Sequence, residues 1–178
     1  MTFIDLLIEE VQELYDGEKQ LHKALPEFGN CASEGALIKA ISSHLKETEI
    51  QIERIEHIFD YVEVKPKNMH NGVINGLIDN CNNLIDPSAS SMLQDFALLI
   101  YLQKIGQYII SRYESSYTYS STLNNHTVTE LLYQSLEEEI KMGWLYNDLD
   151  RNGEHNNDII NIELANTSYL SQSSFTLK

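Results

Sequence analysis

A carboxylate within the apolar stripe of the first amphipathic segment is the residue whose type and position most clearly suggest chemistry. Apolar residues recur at helical spacing from Ile4 to Leu25, and Glu18 lies in the middle of that stripe. Burying an unpaired charge costs a free energy on the order of the whole free energy of unfolding of a domain. Glu18 therefore needs a hydrogen-bond partner, an ion-pair partner or a metal ion.

Three further segments show the same pattern, apolar along one face and polar near the middle. The polar positions on these faces are His44, Thr48 and Gln51 in the second segment, Gln103 and Gln107 in the third, and Glu138 or Glu139 in the fourth. Glu139 aligns better than Glu138 with the apolar residues around it. Because buried polar groups usually satisfy one another, we expect these side chains to share one layer with Glu18.

The chemistry of such a layer is that of a metal site. Carboxylates and imidazoles from facing helices bind pairs of iron or manganese ions in helical bundles, usually with two Glu-x-x-His pairs. The candidate metal ligands are Glu18, His44, Glu47, Gln51 and Glu139. The pattern is incomplete, because the second helix has Ile50 at its centre and the third has Gly106 and Gln107. The alternative, which we favour, is that Glu18 is hydrogen-bonded to His44 or to a glutamine.

The elements that must position these residues are four long helices and one short one. Thr2 is the predicted N-cap of the first helix, Pro26 its stop, and Ser33 the N-cap of the second. The predicted helices span residues 2–25, 34–62, 73–84, 92–117 and 127–149, with a Ser/Thr/Asn-rich loop before the last. We predict an all-α, four-helix bundle over residues 1–150, with one short extra helix between helices two and three, and a polar, loosely ordered tail over residues 151–178.

Composition narrows the classes of function. The 178 residues are 42% hydrophobic, which suits one domain. A net charge of -15, from 12 basic and 27 acidic residues, argues against nucleic acid or an anionic membrane as the partner. We see no membrane span, signal peptide, GxSxG motif or phosphate-binding loop, and Cys31 and Cys81 form no CxxC pair. We expect a cytoplasmic protein with reduced thiols.

Several segments taken together resemble the YciE/YciF-like family of ferritin-like bacterial stress proteins. They are, in the same order as in that family, LYDGEKQLHKALPEF, HLKETEIQIERIEHIF, NGLIDN, DFALLIYLQKIGQYIISRY and LLYQSLEEE. The resemblance as a whole covers roughly Phe3 to Leu149. The resemblance implies a ferritin-like antiparallel bundle, a homodimer, a candidate metal centre and a role in stress responses. Five residues match the family pattern and are carried over as candidates: Glu18, His44, Thr48, Gln51 and Glu139.

The departures from that family fall in the third and fourth long helices. The family usually carries Glu-His-Tyr-Glu where this chain has Gly106, Gln107, Tyr108 and Ile109, and an acidic residue where it has Gly143. We therefore predict a stress-associated protein whose polar layer is a reduced or lost di-metal site, non-catalytic and acting through dimerisation or through a protein partner on its acidic surface. The alternative is an iron- or manganese-dependent oxidase or peroxide-handling protein. A fully degenerate site would bind no metal.

Overall fold

The computed structural model describes residues 1–67, 69–85 and 90–152. All the regular structure in this part of the chain is helical, as predicted. The helices are α1 (Phe3–Cys31), α2 (Gly35–Tyr61), α3 (Gly72–Leu84), α4 (Ser91–Thr122) and α5 (His126–Asn152). The bundle continues two residues beyond the predicted boundary at 150, and the predicted polar tail lies outside the described residues from 153 onward.

The four long helices form a bundle with one long crossover connection. α1 packs against α2 and α4, and α5 packs against the same two helices from the opposite corner. α4 begins beside the end of α1, where Asp95 binds Ser33, and its later residue Arg112 pairs with Glu10 near the start of α1 at 2.9 Å. α4 is therefore antiparallel to α1 and parallel to α2. The chain between α2 and α4, including α3, runs the length of the bundle, which is the ferritin-like connectivity.

The first helix begins as predicted and ends later than predicted. Thr2 is its N-cap, and the Thr2 hydroxyl and the Asp5 carboxylate form a reciprocal capping box. Pro26 was predicted to stop the helix, but it lies inside α1, which continues to Cys31. Pro26 is exposed and Phe28, in the next half turn, is fully buried. Packing of this last turn outweighs the hydrogen bond that proline cannot donate.

The start of α2 is capped from a distant part of the chain. Ser33 was predicted to be the N-cap, but Glu34 holds that position and makes no side-chain cap. Instead the buried Asp95 of α4 accepts hydrogen bonds from the backbone N–H groups of Ser33 and Glu34, at 2.7 and 2.9 Å, and from the Ser33 hydroxyl at 2.5 Å. A carboxylate at a helix N-terminus satisfies free N–H groups and favours the positive end of the helix dipole. Asp95 thus joins α4 to the α1–α2 turn.

Replacing Asp95 with asparagine should lower the free energy of unfolding by about 2–3 kcal/mol, because three charge-assisted hydrogen bonds to a buried carboxylate weaken together. Urea denaturation measures this directly. Asp60→Asn is the matched control, since Asp60 is exposed on α2, and it should change stability by less than about 0.5 kcal/mol. Equal effects of the two substitutions would show that Asp95 does not hold the turn.

The inner face of α4 differs from the predicted one. Gln107, predicted to point inward, is exposed, and Gln103 is only half-buried. The buried positions of α4 are Asp95, Leu98, Leu99, Leu102, Ile105, Gly106, Ile109, Tyr113, Ser116 and Ser120. This helix carries apolar side chains on most of its circumference and buries small polar residues, so apolar periodicity did not locate its core face.

Among the residues that the structure describes, no helix is long and apolar enough to cross a membrane.

Candidate functional site: a buried polar layer

Glu18 lies in the core of the bundle, fully buried on α1. Its Oε1 atom accepts a hydrogen bond of 2.9 Å from the hydroxyl of Tyr113, which is also fully buried, on α4. Burial, first, and the neighbouring Glu139 carboxylate, second, raise the pKa of Glu18 well above its ordinary value, and the Tyr113 hydrogen bond only partly opposes this. The two buried carboxylates therefore lie close enough to disfavour charge on both.

His44 links α2 to α5 in the same layer. Its Nδ1 atom lies 3.0 Å from the hydroxyl of Tyr146, and its Nε2 atom lies 3.4 Å from Oε1 of Glu139. All three side chains are at most 1% exposed. Burial and the nearby Glu139 raise the pKa of Tyr146, so the tyrosine stays protonated and can donate to Nδ1. A neutral imidazole with that tautomer carries its proton on Nε2, facing Glu139.

Several polar atoms of the layer have no protein hydrogen-bond partner among the described residues. They are Oε2 of Glu18, Nε2 of His44, both carboxylate oxygens of Glu139, Oγ1 of Thr48 and Oε1 of Gln51. The His44–Glu139 contact is thus an electrostatic approach and not a well-aligned hydrogen bond. Each unsatisfied buried polar group destabilises a fold unless a water, a proton or a cation satisfies it.

The remaining predicted ligands lie at the edge of the layer. Glu47 is half-buried, and burial raises its pKa while the nearby His44 opposes the increase. Gln51 is fully buried, but its amide nitrogen points to Oε2 of Glu138 at 3.4 Å. Glu18 was expected to hydrogen-bond to His44 or to one of the glutamines, but its partner is Tyr113. Gln103 instead donates to the backbone oxygen of Tyr146, at 3.4 Å, and Gln107 is exposed.

Glu138 and Glu139 have different roles, and Glu139 is the buried one, as predicted. The half-buried Glu138 forms a two-pronged ion pair with Arg54, with N–O distances of 2.5 and 2.8 Å. Arg54 also donates to the hydroxyl of the buried Ser135, at 3.2 Å. This pair closes the α2–α5 side of the layer and neutralises one of its carboxylates.

Tyr113 and Tyr146 were not among the predicted site residues, although both are among the largest fully buried side chains. Each places its hydroxyl on a predicted site residue, Tyr113 on Glu18 and Tyr146 on His44. The available signal was that buried tyrosines usually find a hydrogen-bond partner. The partner could not be chosen without the relative rotation of the helices.

The donor atoms that lack protein partners test whether iron or manganese fits this layer. Glu18, His44 and Glu139 offer oxygen and nitrogen atoms of the kind that these metals bind. However, no three His, Cys, Asp or Glu side chains in the described ranges are arranged as a group that could hold a metal ion. To the polar layer, α4 contributes the hydroxyl of Tyr113 and no carboxylate or imidazole. The residues present do not fit a di-metal centre, and a single ion would require these three side chains to reorient.

Comparison with known proteins agrees with this fold. The family described as "domain of unknown function (DUF892)" matches residues 2–154. Protein YciF of Escherichia coli strain K12 is 33% identical over 139 residues, which are 78% of this chain and 84% of YciF.

Two solved structures are similar to the bundle. The crystal structure of the E. coli stress protein YciF has a TM-score of 0.81 at 32% identity, covering 85% of this chain and 96% of that one. The structure of YcfI from Rhodopseudomonas palustris has a TM-score of 0.79 at 29% identity, covering 83% and 94%. The predicted helical bundle and the predicted YciF-like relationship are both confirmed, and the chain belongs to this DUF892 family of YciF-like, stress-associated proteins.

Proposed function

We propose that this YciF-like chain acts in stress without a catalytic metal centre, by self-association or by binding a protein partner. The observation that carries the proposal is the buried face of α4. Where a di-metal bundle needs carboxylates or imidazoles, α4 presents Ile105, Gly106, Ile109 and Tyr113. A bundle that lacks the ligands of one of its four helices cannot hold two bridged ions in the usual way.

The electrostatics of the layer support the same proposal. Burial and the neighbouring Glu139 raise the pKa of Glu18 well above its ordinary range, which favours the protonated form, so a proton can fill the place of a cation. In that state Tyr113 donates to one Glu18 oxygen, and the other carries a proton that needs an acceptor. The acceptor can be the neighbouring Glu139, whose oxygens have no hydrogen-bond partner among the described residues. The layer then fixes the register of the helices.

The surface supports binding over catalysis. The excess of 27 acidic over 12 basic residues gives the protein a strongly negative field, which attracts a basic partner protein and repels nucleic acid. We propose a homodimer or such a protein as the partner, and the cytoplasm as the compartment.

Elemental analysis tests the absence of a metal. Protein purified without chelator from cells supplied with iron and manganese should contain neither metal in stoichiometric amount, and Glu18→Ala should not change its content. A ligand that binds only the folded state raises the melting temperature. Because we expect no metal to bind, adding either metal to the purified protein should leave the melting temperature unchanged. Stoichiometric iron or manganese that is lost in Glu18→Ala would overturn the proposal.

A second function has one specific observation in its favour. The unpartnered atoms of Glu18, His44 and Glu139 are the donors that one iron or manganese ion would use. Such an ion would supply redox chemistry with oxygen or peroxide. In that case Glu18 and Glu139 would bind through oxygen and His44 through Nε2. The imidazole proton would then lie on Nδ1 and be donated to the hydroxyl oxygen of Tyr146, the reverse of the direction in the metal-free layer. The elemental analysis above distinguishes the two functions.

A further inference from the structure

A groove without acidic residues runs along the outer face of α4 and α5. A cavity of about 540 Å³ lies between α3, α4 and α5, with Leu77 and Ile100 in its wall. A second cavity of about 240 Å³ continues it past Ile110 and Ile140 to Trp144. Gln107, Gly143 and Asn147 line both, so the two cavities form one groove, called here the α4–α5 groove.

The α4–α5 groove has the composition of a binding surface. Trp144 is 70% exposed at its edge, although large aromatic side chains normally bury most of their area. None of the described residues that line the groove is Asp or Glu, in a chain whose net charge is -15, and Lys104 brings a positive charge. The amide of Gln107 is exposed there and can bond to the backbone of a bound peptide.

The 26 residues after α5 have matching properties. Residues 153–178 follow directly on Asn152, and the family match ends at residue 154, so this segment is an addition to the shared bundle. Its first part carries apolar Ile159, Ile160, Ile162 and Leu164, together with acidic Asp158 and Glu163. The apolar side chains suit the apolar wall of the groove, and the acidic ones are complementary in charge to Lys104.

The distances allow the segment to reach the groove. Gly143 lies nine residues before the end of α5, a return of about 14 Å at the rise of an α-helix. Ile159 is seven residues beyond Asn152, and seven extended residues span up to about 23 Å. A segment tethered this closely is present at an effective concentration on the order of millimolar, so weak contacts suffice for binding.

We infer that the α4–α5 groove is the docking site of the chain's own C-terminal segment around residues 158–165. In the docked state the isoleucines cover Trp144, Ile100 and Ile110, and an acidic residue of the segment lies beside Lys104. This inference does not depend on the buried polar layer, so it stands or falls separately from the proposed function.

Trp144 is the single tryptophan of the chain and reports on the groove directly. In the full-length protein we expect acrylamide to quench its fluorescence several-fold less than in the full-length variant Ile160→Asp/Ile162→Asp, whose emission should shift towards that of an exposed indole. The matched control is Asn157→Asp/Asn161→Asp, which adds the same two charges at polar positions and should behave like the wild type. All three proteins should give the same far-ultraviolet circular dichroism.

Two substitutions of Gly143, which lines the groove, test the same inference by changing the groove and leaving the segment intact. Gly143→Leu should displace the segment and expose Trp144, whereas Gly143→Ala should not, because a Cβ atom there meets only Ile110 Cδ1 at 3.8 Å. Equal quenching of Trp144 in the wild type and in Ile160→Asp/Ile162→Asp would overturn the inference. Protection of Trp144 that disappears on dilution would also overturn it, because a second copy of the chain and not the segment would then cover the groove.

Discussion

Replacing His44 with alanine is expected to lower the free energy of unfolding by about 3–5 kcal/mol, the cost typical of removing one member of a buried polar pair. The substitution removes the partner of the Tyr146 hydroxyl and the only imidazole among the described residues within contact of Glu139. It also leaves a cavity, since His44 is 1% exposed. For a bundle of this size the melting temperature should fall by on the order of 10 °C.

The informative comparison is Glu18→Leu, which should change stability by no more than about 1 kcal/mol. Leucine keeps approximately the volume of Glu18 and removes its buried ionisable carboxyl group, at the cost of one hydrogen bond from Tyr113. His57→Ala is the matched control for the histidine, because His57 is exposed on the same helix. Urea denaturation gives all three values. A larger loss in Glu18→Leu than in His44→Ala would show that the layer depends on a charged Glu18, as a metal site does.

The residues of the layer that could be predicted from the sequence are those on helices with a clear apolar stripe. Glu18, His44 and Glu139 each interrupt such a stripe, and all three are at most 1% exposed. The choice of Glu139 over Glu138 also followed from this spacing, because positions three and four apart share a face of a helix. Where the apolar pattern of a helix is compatible with only one buried face, it locates that face to within one residue.

The apolar pattern of α4 is compatible with more than one buried face, and the errors in the predicted site come from this helix. Ile100 and Ile110 of α4 are apolar but only half-buried, whereas its acidic residue Asp95 is fully buried, so the periodicity favoured a face rotated from the real one. This rotation placed Gln103 and Gln107 in the layer by mistake. What fixes the true face is the contact of Asp95 with the α1–α2 turn and of Tyr113 with Glu18, and neither is visible in a local pattern.

The stability of the protein should decrease as the pH rises above about 4.5, in a way that depends on Glu18. The pKa of Glu18 in the folded protein is raised well above 4.5, chiefly by burial. Between 4.5 and that raised pKa, the folded state holds a proton that the unfolded state has released. The free energy of unfolding therefore falls with rising pH, by up to about 1.4 kcal/mol per pH unit, and levels off once Glu18 ionises in the folded state as well.

Glu18→Gln removes this dependence, because glutamine keeps the shape and the oxygen that accepts from Tyr113 but cannot ionise. The variant and the wild type should be similarly stable near pH 4.5, and the variant should become the more stable of the two as the pH rises towards 7. Urea denaturation at stepped pH, with chelator present, measures the difference. Glu49→Gln is the control, since Glu49 is exposed on α2, and its curve should stay parallel to the wild type. Parallel curves for Glu18→Gln as well would mean that folding does not raise the pKa of Glu18, which would overturn this prediction.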